Sequence, residues 1–298
     1  MNWVSEILSS AVFLGIYDLC TKHAVRENAV TPVLFFSTVT SATVWTALLL
    51  IQYVHPGVLP SSLVTDPLTW QQHLRLVLKS GIVAASWVGT YFAMKHLPVS
   101  FASPIRATSP LFAFVGAILI LGERPTILQS VGILTTLASF VGLSVLGARE
   151  GFHFHRDRWF WFLIGGVTIG AASSLYDKYL LGTLKYSVPT VQCWFSIYLV
   201  PFFAPFALGW KLRWWPRNEF HWRWSIPAIA LALLVADYLY FSALQHPRAL
   251  VAVVMSLRRA STLVAFAGGL YFFHEANGWR KLPAVLGIVA GIILTLAG

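Results

Sequence analysis

The sequence predicts an all-α membrane protein: ten transmembrane helices in two inverted five-helix repeats. Three observations carry this expectation. Of the 298 residues, 57% are hydrophobic and only 11% charged, and the mean hydropathy is +0.70, a balance that suits lipid rather than water as the surrounding solvent. Ten apolar stretches each approach the roughly 20 residues that a helix needs to cross a bilayer core. Matching residues also recur in the same order in the two halves of the chain.

The ten stretches run over 7–24, 33–54, 76–95, 99–121, 127–147, 159–180, 188–210, 224–244, 249–273 and 281–297. In lipid every backbone N–H and C=O must be bonded within its own segment, so stretches this long are helices. Their Ala, Leu, Val and Gly fill has none of the period-two alternation of an outer-membrane barrel. The first, in "MNWVSEILSSAVFLG", has no basic leading region and no small-residue cleavage site behind its apolar core, so it reads as a permanent span. Cys20 and Cys193 fall in the first and seventh spans without CxxC spacing and are expected as buried thiols. In the fourth span Pro104 and Pro110 flank Arg106, and a proline there frees a carbonyl and bends the helix. Between the seventh and eighth spans, "WKLRWWPRNEFHWRW" (210–224) alternates Trp with basic residues, as a headgroup belt requires.

The halves align with two offsets. Tyr17-Asp18 matches Tyr176-Asp177, and Phe36-Ser37 matches Phe195-Ser196, both at 159 residues. "SPIRATSPLFAFVG" (103–116) lies against "SLRRASTLVAFAG" (256–268) at 152, pairing Arg106 with Arg258, Ser109 with Ser261 and, beyond them, Glu123 with Glu275. The expected units are 1–148 and 149–298. Five spans is an odd number, so the second unit enters the membrane from the opposite side. Such inverted repeats characteristically place a binding site near the midplane where they meet.

An ionisable side chain in hydrocarbon costs on the order of 2.5–3.5 kcal/mol. Asp18, Arg106, Asp177, Asp237, Arg258 and Arg259 nevertheless fall well inside predicted spans. Mutual pairing that fixes helix packing is one reading. Buried pairs are weak sources of stability, and the sharper reading is a polar cavity open to water. Tyr17, Tyr176 and Tyr240 add hydroxyls close in sequence to the three acids, Gln192 a polar group in the seventh span, and Ser256 another just ahead of Arg258. Lys178 follows Asp177 and is either a cavity cation or a side chain that snorkels to the interface. The candidate substrate-binding set is therefore Tyr17, Asp18, Arg106, Tyr176, Asp177, Lys178, Gln192, Asp237, Tyr240, Ser256, Arg258 and Arg259.

Other classes of function lack their vocabulary. The formal charge of +10 is spread over loops, where it serves lipid phosphates better than nucleic acid, which would need a groove that spans do not offer. "HFHR" (153–156) is the one His cluster and has no Cys or carboxylate at ligand spacing. No HExxH, DxxD or GxSxG occurs, so an intramembrane lipid-modifying enzyme is the weaker alternative. No cofactor is called for. A receptor or scaffold would not require charges held in an inverted repeat.

The paired halves, and "LGERPTILQSVGILTTLASFVG" (121–142) after "SPLFAFVGAILI", resemble the drug/metabolite transporter superfamily and, within it, the EamA-type carriers. The resemblance implies a basket of ten helices around a central cavity lined by spans one, three, four, six, eight and nine. It implies an integral membrane, multi-pass protein of the cell (inner) membrane that moves small organic solutes, often by export, without ATP hydrolysis. Glu123 matches the family's Glu after the fourth span, and Glu275 is its second-half counterpart, although "FFHEANGW" lacks the flanking Gly and Arg. The expected partners are a small-molecule solute, the lipid bilayer and protons as a candidate coupling ion, for a monomer or homodimer. Amino acids and related metabolites are the first expectation for the solute, and phosphorylated or nucleotide-linked sugars or other organic anions the alternative. The loops after odd-numbered spans hold twelve Lys and Arg, and those after even-numbered spans six, Lys79 counted among them. The positive-inside rule then puts both termini outside, whereas the resemblance implies cytoplasmic termini.

Overall fold

The computed structural model describes residues 3–97, 105–106, 108–145, 158–214, 219–273 and 278–298. Among them the chain is helical throughout, with no strand. The first half supplies α1 (Trp3–Val25), α2 (Val30–Val54), α3 (Trp70–His96), α4 (Ser109–Leu121) and α5 (Ile127–Val145). The second supplies α6 (Arg158–Lys178), α7 (Val188–Lys211), α8 (Ser225–Gln245), α9 (Val251–Leu257), α10 (Ser261–Phe273) and α11 (Gly278–Ala297). A 3-10 turn at Arg258–Ala260 joins α9 to α10, and together they form the ninth of ten spans. Five helices are long and apolar enough by themselves to cross a membrane: α1, α2, α6 with its following π turn, α7 and α8. The predicted residues Pro104 and Glu275 and the "HFHR" cluster lie outside the described residues.

Local sequence sets several boundaries. The start of α3 is fixed by a capping box, in which the Thr69 backbone N–H donates to Gln72 Oε1 at 2.8 Å. This helix therefore begins at Trp70 and not near residue 76. Gly122 ends α4 at φ 66°, a left-handed conformation that glycine adopts without strain. The helix α7 carries Pro201 and Pro205 in its interior. Cys20 and Cys193 are unbridged thiols.

The helices pair across the halves. α1 runs along α8, and its counterpart α6 runs along α3; α2 packs on α7, and α5 on α11. α4 packs on α6 just as α10 packs on α1. Every one of these contacts is reproduced when the two halves exchange roles, as a repeat with an internal pseudo-two-fold axis requires. At the α5–α11 crossing, a Cβ added to Gly132 would stand 2.7 Å from Gly291 O, and one added to Gly291 would stand 2.7 Å from Gly132 O. Only hydrogen in place of a side chain lets two backbones approach this closely. Gly132 and Gly291 are themselves related by the offset of 159.

Candidate functional site

Where α1, α3, α6 and α8 meet the α9–α10 turn, the packing leaves a cavity of about 260 Å³. Its wall includes Tyr17 from α1, Lys79 and Trp87 from α3, Asp177 from α6, Asp237 and Tyr240 from α8, and Arg258 and Arg259 from the turn. A neighbouring cavity of about 30 Å³ is lined mainly by α2, α7 and α8 and holds Ser37, Ser196 and Gln192. Ser37 and Ser196 are a repeat-related pair, so the side cavity lies on the pseudo-two-fold relation.

The charged groups of the main chamber are wired together. Lys79, only 3% exposed, places Nζ 2.6 Å from Asp177 Oδ1 and donates to Ser173 Oγ at 2.6 Å. Arg258 Nη2 donates to Asp237 Oδ1 at 2.5 Å. Tyr240 links the two pairs. Its hydroxyl donates to Asp177 Oδ2 at 3.4 Å, and its ring face lies 4.2 Å from the Arg258 guanidinium carbon, within the range of a cation–π contact. The result is one line of interactions through α3, α6, α8 and the α9–α10 turn. Arg259 is different. It lines the chamber, lies 5.5 Å from the Phe140 ring, and makes no salt bridge to an acid among the described residues.

Local backbone explains the placing of the arginines. Arg258 and Arg259 occupy the 3-10 turn between two helices, and both line the chamber. In the first half Arg106 precedes α4 as Arg258 precedes α10, because Ser109 and Ser261 begin these helices at the same offset of 152. Discontinuous helices are what transporter sites of this topology are built on. Above the turn, Glu123 closes the N-terminus of α9: its Oε1 accepts from Val251 N at 2.7 Å and its Oε2 from Ala252 N at 3.3 Å. Burial raises the pKa of this loop carboxyl, and the two amides act against that shift. The acid of the Gly-Glu-Arg element is thus a cap that ties the first half to the second.

Of the residues expected from sequence, Tyr17, Asp177, Asp237, Tyr240, Arg258 and Arg259 come together in the main chamber. Gln192 lies in the side cavity, where Nε2 donates to Leu234 O at 2.6 Å. Asp18 and Arg106 are exposed and outside both cavity walls, and Asp18 feels Arg106 first, then Arg259 and Arg258. Tyr176 turns away and donates from its hydroxyl to Arg75 O at 3.3 Å. Ser256 is fully buried in α9 with no partner for Oγ. Lys178 is neither a chamber cation nor a snorkelling one. Its Nζ donates to Leu244 O, His246 O and Ala249 O at 3.0, 3.1 and 2.7 Å, clamping the loop between α8 and α9.

Lys79 is the chamber-lining residue that the sequence reading misses. Counted with the loop cations although the span drawn over 76–95 contains it, it sits well inside α3, which begins at Trp70. The signal was present: Thr69 and Gln72 have the spacing of a capping box.

Among the described residues, helices that pair across the two halves and line a charged chamber have the architecture of a multi-pass membrane protein with an internal repeat. Residues 1–145, just under half of the chain, match the EamA-like transporter family, a family of transporters. No curated protein matches the chain. A solved structure described only as "Crystal structure of protein" superposes with a TM-score of 0.69 at 16% identity, over 97% of this chain and 98% of the other. At that identity the likeness shows the fold alone.

Proposed function

We propose that the protein is a secondary carrier of the cell (inner) membrane that exports a small organic solute by alternating access, with protons as the coupling ion. The observation that carries this reading is the linked network Lys79–Asp177–Tyr240–Arg258–Asp237 facing a cavity where the two halves meet. Units 1–148 and 149–298 rock about this volume, and because one chain contains the whole chamber, the monomer is the transporting unit. Tyr17, Asp177, Asp237, Tyr240, Arg258 and Arg259 bind the solute, and Gln192 serves the side cavity.

Buried ion pairs contribute little to stability compared with apolar replacements of similar volume, so a network of this kind is better explained by use than by folding. Its groups are able to exchange internal partners for a solute as the halves move. Export and uptake of a metabolite mixture in proteoliposomes tests the reading. Asp177→Asn and Arg258→Ala are expected to abolish flux while the protein still inserts, and unaltered flux in both would sink the assignment. A pH-sensitive dye inside the same liposomes tests coupling, and solute movement without linked proton movement removes it.

A further inference from the structure

We infer that the chamber takes an organic monoanion, a carboxylate borne on an apolar or aromatic body, and that Arg259 is the residue that binds the anionic group. The inference rests on the carrier reading and specifies its solute. It comes from accounting for charge. The wall presents the three cations Lys79, Arg258 and Arg259 and the two acids Asp177 and Asp237. Lys79 is matched to Asp177 at 2.6 Å and Arg258 to Asp237 at 2.5 Å, which leaves Arg259 as one positive charge in excess. Bringing in Asp18 and Arg106, which interact electrostatically outside the wall, adds one of each sign and leaves that excess unchanged.

A guanidinium held inside a membrane protein without an acid is costly, and a bound anion offsets the cost. The planar fork of Arg matches a carboxylate with two parallel hydrogen bonds. A zwitterion fits less well, since its ammonium would first have to displace Lys79 or Arg258 from a wall acid. A cation fits worst. Beside Ser173 and Ser174, the rest of the wall is largely apolar and aromatic, with Val83, Trp87, Phe195, Phe241 and Met255, and this favours a solute whose uncharged part is not strongly hydrated.

Three solutes with the same benzyl body separate the possibilities: 3-phenyllactate as the anion, phenylalanine as the zwitterion and phenylalaninol as the cation. Flux of each is measured in proteoliposomes containing the full chain. Phenyllactate is expected to move at least about tenfold better than the other two, the scale of a charge-assisted hydrogen bond. Arg259→Gln is expected to erase that preference, and Arg259→Lys to restore it in part, since it keeps the charge and loses the fork. Size-exclusion profiles matching the wild type establish that both variants are folded. Preference for phenylalanine or phenylalaninol, an anion preference that survives Arg259→Gln, or movement of none of the three overturns the inference. In the last case flux of some other solute from a metabolite mixture leaves the carrier reading standing, and absence of any flux removes that reading as well.

Discussion

Lys79 and Asp177 show how differently one contact acts on stability and on transport. The pair is almost fully removed from solvent, and taking away one partner strands the other. Lys79→Met is therefore expected to cost about 3–5 kcal/mol, whereas Lys79→Met combined with Asp177→Leu should return close to wild-type stability. Thermal unfolding in detergent reads the difference. Both variants are expected to lose flux, so recovery of stability without recovery of transport separates the two roles. Lys178 gives the opposite result. It holds three loop carbonyls and stays away from the chamber, so Lys178→Met should lower stability by about 1–3 kcal/mol and leave the solute's half-saturation concentration unchanged in flux assays.

The helices themselves were readable from apolar run length, because lipid admits no other spanning backbone at this composition. The repeat was readable from ordered matches such as Tyr17 with Tyr176 and Arg106 with Arg258. Partner choice was not. Asp177 was visible as a buried acid, but its cation comes from α3, and Lys79, near the start of the 76–95 span, was counted with the loop cations. Lys178, adjacent in sequence, was the more obvious partner, yet the helical turn sends it outward to the α8–α9 loop. Tyr176 and Tyr240 looked equivalent as hydroxyls near acids, and only the helix pairing shows that one faces the chamber and the other Arg75. The α5–α11 crossing could have been suspected from Gly132 and Gly291 at the repeat offset. Its geometry predicts that Gly132→Leu prevents close approach of the two helices, since even a Cβ would stand 2.5 Å from Thr295 N. The expected result is a loss of several kcal/mol, detected as a lower melting temperature or aggregation on solubilisation, with Gly132→Ala milder.

Across the whole protein the inversion is a geometric claim about sides. Counting helix ends puts the α2–α3 and α6–α7 loops on one face of the membrane, and the α1–α2 and α7–α8 loops on the other. Single cysteines at Ser62 and Arg213, introduced after replacing Cys20 and Cys193, are expected to react with an impermeant maleimide from opposite sides. Labelling of both from the same side would refute the inverted arrangement. The side that exposes Arg213 also decides between the positive-inside count and cytoplasmic termini.

The glycine contact between α5 and α11 joins the two halves by a close approach of their backbones. Such a seam behaves as a spindle: parts that turn around it sweep past one another while the shaft keeps its length. A short covalent staple between those two helices should leave turnover intact, whereas one of equal length between positions 17 and 87, across the chamber, should jam it.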